Sequence, residues 1–508
     1  MSVALDTPTL SLRDGDTVAV ALRALSAGEQ ITAAGLVAAS DIPEGYKVAV
    51  ADIAAGDPVR KNGHLVGWAT VPIPAGHVGH TENLAVDRGL PAITRDTRAL
   101  SAVPAAHRGR FSGFRRADGR VGTRNIIAVL IVGNCAATAA RQAADLFDED
   151  LLAAYPNVDA VVPFIHAIGC GMEMTGEPMN LLRRTLSGYV RHPNVFGAVV
   201  MALGCERNNL GVFLEQEKLA VGDRLRTVTL QEVGGVARAV ETARGHIEAM
   251  LPEADKCTRE VVGVENLVVG LQTSTTDGLS GLTVNPVLGR VNDLIVASGG
   301  TVILSETPEL GGCESALRDR ADSATAAAFD TILAEWEDRG RGRDTALAGR
   351  LPRSASEHGV TTRLERGFDA LAKHGSAPLS AVRRYAEPLG GAKGLVFMDS
   401  PDFDPVSITG QIATGATMIL MGTATGSVAG TMPSPTLKLT STSDLFRHRA
   451  AEMDIDCGPA LAGPDAVEEI AQAVFAALLD AASGTQTKSE YETMRETEFV
   501  PWSIGVLA

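Results

Sequence analysis

GLQTSTTDGLSGLTVNPVLGRVNDLIVASGGTVILSETPELGGCE, residues 270–314, is the stretch whose pattern decides the fold. The apolar run Asn266–Gly270 reads as a buried strand, and the polar loop Thr273, Ser274, Thr275, Thr276, Asp277 follows it. The spacing then predicts a helix over Asn285–Ser298 and a second buried strand, Thr301–Leu304, ending in Ser305 and Glu306. Strand, polar loop, helix and strand is the βαβ order, and parallel sheets place their chemistry at the carboxyl ends of strands. Asp277 and Glu306 each stand at such an end, so the search for an active site begins there.

The chain has 508 residues, too many for one core, and two to four domains are expected. Hydrophobic content of 45% and charged content of 21% are ordinary for globular protein. The formal net charge of −16, with no basic stretch, excludes a nucleic-acid binder. A small carboxylate substrate would therefore need a local cluster of arginines and backbone N–H groups. Six cysteines (135, 170, 205, 257, 313 and 457), spread through the chain, read as reduced thiols of a cytoplasmic protein. No apolar run approaches the ~20 residues of a membrane span, and the first residues lack an export-signal layout.

Residues 1–95 have the short strands and Gly-, Asp- and Pro-marked turns of a small β-rich unit, with strands over Lys47–Ile53 and Leu65–Val71. His77 and His80 share one turn and are spaced to meet a common ligand. Residues 96–112 read as a linker, and 113–385 as a central α/β unit. Arg124 and Asn125 open its first strand, where a guanidinium suits a carboxylate. Strand Val158–Phe164 leads to His166, Cys170 and Glu173; strand Val195–Leu203 leads to Cys205 and Glu206. A thiol, an imidazole and a carboxylate so close together suit metal binding or acid–base work, while a buried Cys at a strand end is also ordinary packing. Residues 316–385 read as a mostly solvated helical insertion, and 386–508 as a C-terminal α/β unit. In that last unit a strand ends at Asp399, and the Gly422–Gly430 loop offers N–H groups to an anion. There is neither a Walker A loop nor a strand-anchored GxGxxG.

Several stretches resemble the altronate and galactarate dehydratase family, which also includes a sulfolactate sulfo-lyase. They include RADGRVGTRN (116–125), HAIGCG (166–171), RTLSGYVRHPNV (184–195), LGCERN (203–208) and TDGLSGLTVNPVLG (276–289). GGTVILSETPE (299–309), MDSPDFDPVSITG (398–410) and EFVPWSIG (498–505) extend the likeness to nearly the whole chain. The resemblance implies an N-terminal SAF-type β domain followed by central and C-terminal α/β domains with mainly parallel sheets. It implies elimination of water from a sugar acid, aided by a divalent ion such as Fe²⁺, with Mn²⁺ or Mg²⁺ as alternatives. It is read here as a cytoplasmic homo-oligomer with no nucleic-acid or membrane partner.

The departures from the family pattern fall at polar loops. Its Cys-Gly-Gly-Ser-Asp is Thr273-Ser274-Thr275-Thr276-Asp277, and its Thr-Gly-Arg-Gly-Ser is Thr423-Ala424-Thr425-Gly426-Ser427. A family His is Tyr46, His-Thr-His-Asn is His80-Thr81-Glu82-Asn83, and Asp-Ile-Asn is Asp454-Ile455-Asp456. These changes point to a substrate other than altronate or galactarate. β-Elimination needs a base for the proton beside the carboxylate, a stabiliser of the resulting charge and an acid for the leaving group. The candidate catalytic residues are His166, Asp277 and Glu306, and the candidate metal ligands are His80 and Glu82. Candidate substrate contacts are Arg124, Asn125, Cys170, Cys205, Glu206, Asn285, Asp399, Gly426 and Ser427. A lyase expelling sulfite, a hydrolase on a related acid, and a non-catalytic sugar-acid-binding protein are the alternatives.

Overall fold

The computed structural model describes residues 8–11, 13–86, 100, 108–341, 351–494 and 499–503. Most of the expected linker, 96–112, lies outside them; Arg110–Arg115 is a strand paired with Glu260–Gly263, so the connection ends before residue 110.

Two parallel sheets organise the fold. The first has four strands in the order Ala160–Phe164, Ile126–Ile131, Val195–Ala202, Leu225–Thr229. Six successive side chains of Ile126–Ile131 are buried, as a strand covered on both faces requires. The second sheet has seven strands, all parallel. Their order is Leu379–Arg383, Gly394–Met398, Thr301–Leu304, Val268–Thr275, Met418–Thr423, Thr436–Thr440, Ile455–Asp456. The predicted βαβ unit is its centre, with the helix at Val284–Ala297 and the first strand running on to Thr275. This sheet crosses position 385, where the sequence pattern had suggested a boundary: Leu379–Arg383 and Gly394–Met398 pair with each other.

Helices Glu177–Val190 and Asp404–Thr414 lie between the two sheets and share one core with a face of each. Helices Ala137–Ala144 and Val236–Asp255 cover the outer face of the first sheet; Val284–Ala297 and Pro464–Ala482 cover that of the second. Trp502 stacks on Trp336 at 5.7 Å between ring centroids, fixing the C-terminal segment in the shared core. No helix among the described residues is long and apolar enough to cross a membrane.

The strands between Thr9 and Ala85 form two small antiparallel sheets, of four and three strands. They dock on helix Arg363–Lys373, which corrects the expectation of a mostly solvated insertion over 316–385. Eight residues of this helix are buried, among them Glu365, Arg366, Asp369 and Lys373. Ser323–Gly340 fits the expectation better, since Phe329, Ile332 and Trp336 are its buried residues.

Candidate active site at the carboxyl ends of the seven-stranded sheet

Thr362 caps helix Arg363–Lys373 by accepting from Glu365 N, and the helix brings four charges inward on two sides. Towards the N-terminal unit, the ammonium of Lys47 donates to Glu365 Oε2 at 2.9 Å and to Gly359 O at 2.6 Å. Lys61 donates to Glu365 Oε1 at 2.8 Å. Thr361 completes the shell with its N–H and hydroxyl, both on Glu365 Oε2 at 2.9 Å. Burial works to raise the Glu365 pKa, but the two lysine charges hold it well below the usual carboxylate range. Every hydrogen-bonding site of this carboxylate is occupied, which is how a structural clamp is built.

The other side of the helix faces the strand ends. Lys373, fully buried, donates to Glu309 Oε2 at 2.5 Å and stands 3.6 Å from Glu306 Oε2. Gln272, near the end of strand Val268–Thr275, donates to Glu306 Oε1 at 2.5 Å and to Asp404 Oδ1 at 2.9 Å. Arg366 forms a forked ion pair with Asp402. Here the accounting does not close: Glu306 Oε2 and Glu309 Oε1 are buried with no hydrogen-bond partner. Glu306 also adopts the left-handed conformation (φ +69°), a strained state for a side chain with a Cβ. Burial, reinforced by the charge of Glu309 and opposed by Lys373, raises the Glu306 pKa well above the ordinary carboxylate value. The cluster meets solvent along Ser274, Asp402 and Asp404, each half-buried. Burial raises the Asp404 pKa as well.

A carboxyl whose pKa burial raises, a second carboxyl beside it and a lysine side chain between them are the groups an elimination uses. Two of these, Glu309 and Lys373, escaped the sequence reading. Glu309 lies three residues beyond Glu306 in the quoted stretch, so the strand-end rule could have found it. Lys373 could not be found that way, because it arrives on a helix from elsewhere in the chain.

The remaining candidates sit as follows. Asp277 is at the neighbouring strand end, but Oδ1 accepts from Leu279 N, Ser280 N and Ser280 Oγ, and Oδ2 accepts from Ser441 Oγ at 2.9 Å. It anchors the turn into the next helix. Asn285 bridges Thr273 and Asp369 O, while Asp399 accepts from Thr307 and Trp336. His166 belongs to the four-stranded sheet. Its Nε2 meets Ile131 O at 3.0 Å, its Nδ1 accepts from Ile168 N, and burial lowers its pKa to about 4. Arg124 is buried and bound to Glu490, Thr123 O, Ala481 O and Thr485 O, so its fork is already filled. Asn125 ties Arg116, Asn157 O and Ala254 O together. Glu206 accepts from Leu203 N and Gly204 N; Cys170 and Cys205 lie in the loops that follow strands Ala160–Phe164 and Val195–Ala202. Gly426 and Ser427 lie in a half-buried loop where Arg449 donates to Thr425 O at 3.2 Å and Lys438 to Ser427 O at 2.9 Å.

His80 and Glu82 do not match the donor set a divalent ion requires. His80 Nε2 meets Ser356 O at 3.0 Å, its Nδ1 meets Thr81 Oγ1 at 2.9 Å, and its ring stacks on Tyr46. Glu82 is exposed beside it. Among the described residues no three His, Cys, Asp or Glu side chains are placed to hold a metal ion.

Three family models cover the chain: the altronate/galactarate dehydratase SAF domain over residues 7–87, the D-galactarate dehydratase/altronate hydrolase second domain over 113–255, and the D-galactarate/altronate dehydratase C-terminal domain over 264–507. Altronate dehydratase of Escherichia coli (strain K12) is 30% identical over 95% of this chain and 96% of its own. Galactarate dehydratase (L-threo-forming) of the same organism is 29% identical over 94% of each chain. The (2R)-sulfolactate sulfo-lyase subunit beta of Chromohalobacter salexigens is 28% identical over 76% of this chain and 96% of its own.

Proposed function

The chain belongs to the galactarate/altronate dehydratase family of dehydratase-like lyases, and on that premise we propose that it eliminates water from a small aldonate- or aldarate-type sugar acid to give a 2-keto-3-deoxy acid. The observation that carries this reading is the under-satisfied cluster of Glu306, Glu309 and Lys373 at the carboxyl ends of the seven-stranded sheet.

The substrate enters along Ser274, Asp402 and Asp404. Glu309 takes the proton from the carbon beside the substrate carboxylate. The freed electron pair is first held on the substrate carboxylate as an aci-anion, and then becomes the carbon–carbon double bond as the bond to the neighbouring hydroxyl breaks. Glu306 supplies its proton, and the hydroxyl leaves as water. Lys373 faces the charge that builds on the substrate carboxylate, where a buried ammonium acts most strongly. The enol then becomes the keto acid, and one proton passed from Glu309 to Glu306 restores the pair. No step is drawn through a metal, because both ring nitrogens of His80, one of the two residues expected to hold one, already have partners.

The substrate differs from those in the names of the relatives. In support, the loop at Thr273–Asp277 and the loop at Thr423–Ser427 are joined by hydroxyls here, Thr275 Oγ1 meeting Thr423 Oγ1 at 3.1 Å and Thr425 Oγ1 at 3.0 Å. A panel of aldonates, aldarates and sulfonated hydroxy acids, scored for keto acid and for sulfite, tests the reading. Keto acid without sulfite, abolished in Glu306→Gln, is the expected result. Sulfite release would replace water by another leaving group, and turnover that survives Glu306→Gln would remove the acid from the scheme.

A further inference from the structure

Helix Arg363–Lys373 also borders a cavity of about 610 Å³ that the elimination does not use, since Glu306, Glu309 and Lys373 lie outside its walls. The walls are the paired strands Pro58–Lys61 and His64–Ala69, helix Val284–Ala297, and the Phe368–Asp369 side of helix Arg363–Lys373. Small-molecule sites run roughly 300–1,000 Å³, so the space suits a ligand of that kind.

Two polar groups in the walls are short of a partner. Asp369 is 7% exposed, and its Oδ2 has no hydrogen-bond partner. A Cβ on Gly281, across from it, would collide with Asp369 Oδ1, so the carboxylate is held against that wall. Lys61, equally buried, spends two of its three N–H groups on Glu365 Oε1 at 2.8 Å and Gly278 O at 3.2 Å. Its Nζ stands 3.7 Å from Asp369 Oδ2, too far for a hydrogen bond. A hydroxyl oxygen about 2.8 Å from both atoms closes that gap, accepting the third N–H of Lys61 and giving its own hydrogen to Asp369. An ammonium or a carboxylate would serve only one of the two. Next to Asp369 in the chain, Phe368 stacks on His64 at 4.2 Å between ring centroids, and both line the cavity. Aromatic rings of this kind are a surface on which the C–H face of a sugar packs.

We propose that this cavity is a second small-molecule site, and that its ligand is a polyhydroxylated compound of sugar size. One hydroxyl bridges Asp369 and Lys61, and a C–H face packs on His64 and Phe368. Neutral sugars and sugar acids share this hydroxyl chemistry. Because the walls come from both the N-terminal unit and helix Arg363–Lys373, an occupied site ties the two together.

The test is calorimetric titration of the full chain with D-glucose, D-galactose, D-gluconate and D-galactonate. At least one should bind, once per chain, and which of them does so separates neutral sugar from sugar acid. Asp369→Ala should weaken that binding at least about tenfold, the scale of a lost hydrogen bond to a charged group. Glu306→Gln should leave it unchanged. Asp369→Asn, which keeps the volume of the side chain, gives the same reading at smaller amplitude if the alanine chain does not fold. No binding of any of the four would leave the gap to water and overturn the proposal, as would affinity unchanged in Asp369→Ala or Asp369→Asn. Binding lost in Glu306→Gln but kept in Asp369→Ala would put the compound in the catalytic cluster, overturning the second site while leaving the elimination as it stands.

Discussion

Helix Arg363–Lys373 presents two buried ion-pair networks whose difference teaches more than either alone. On one side Glu365 meets Lys47, Lys61 and Thr361, and both oxygens of its carboxylate are filled. On the other, Glu306 and Glu309 share one ammonium, Lys373, and each leaves an oxygen without a hydrogen bond. A buried polar group that is fully paired rigidifies a fold, while one left short of partners costs about 1–3 kcal/mol and persists where something else will use it. The first network thus reads as the clamp that seats the N-terminal unit, the second as the chemistry.

Four predictions can break or sharpen that contrast. Glu306→Gln should lower turnover on the order of 10³-fold, the scale of a lost general acid. It should not lower the melting temperature, because the amide removes a carboxyl that burial disfavours; steady-state kinetics and calorimetry on one preparation check both halves. Glu365→Ala should reverse the pattern, costing about 3–5 kcal/mol of stability by leaving Lys47 and Lys61 buried without their partner. Denaturant unfolding would show it, and turnover per folded molecule should stay within a few-fold.

Asp369, on the same helix, gives the third. Burial raises its pKa to about 7, with Lys61 opposing and Glu365 adding, and its Oδ2 has no hydrogen-bond partner. An acid raised in the folded state binds a proton that the unfolded chain releases near pH 4, so its contribution to stability is present in acid and is lost as pH rises towards 7. Asp369→Asn should therefore stabilise the protein more at pH 8 than at pH 5, by on the order of 2 kcal/mol. Equal effects at both pH values would show that Asp369 is ionised throughout. The smallest effect is expected at His166, whose ring nitrogens are engaged and whose pKa is about 4. His166→Gln should cost about 1 kcal/mol of stability, measured by thermal melting. Turnover and its pH profile between 5 and 8 should stay within a few-fold.

The contrast also explains which parts of the site the sequence revealed. Periodicity and the strand-end rule located the βαβ unit and placed Glu306 at its second strand end, because both are set by residues close together in the chain. Helix Arg363–Lys373 looked solvated because its charges are countered by partners invisible at short range: Lys47 and Lys61 lie 318 and 304 residues from Glu365. Arg124 misled for the same reason in reverse. An arginine at a strand mouth suggested an incoming carboxylate, but Glu490, 366 residues later, already fills its fork. Local pattern reports where a side chain starts; only the fold reports whether its hydrogen bonds are spent.

The most direct test of the division of labour between Glu306 and Glu309 is hydrogen exchange at the carbon beside the substrate carboxylate, followed in D₂O with a substrate identified from the acid panel. With Glu306→Gln the base is intact and the acid is missing, so deuterium should enter that carbon while water release falls by orders of magnitude. Glu309→Gln should suppress exchange and elimination together. Exchange and elimination both undiminished in Glu306→Gln and Glu309→Gln would contradict the assignment and move the chemistry away from the under-satisfied network.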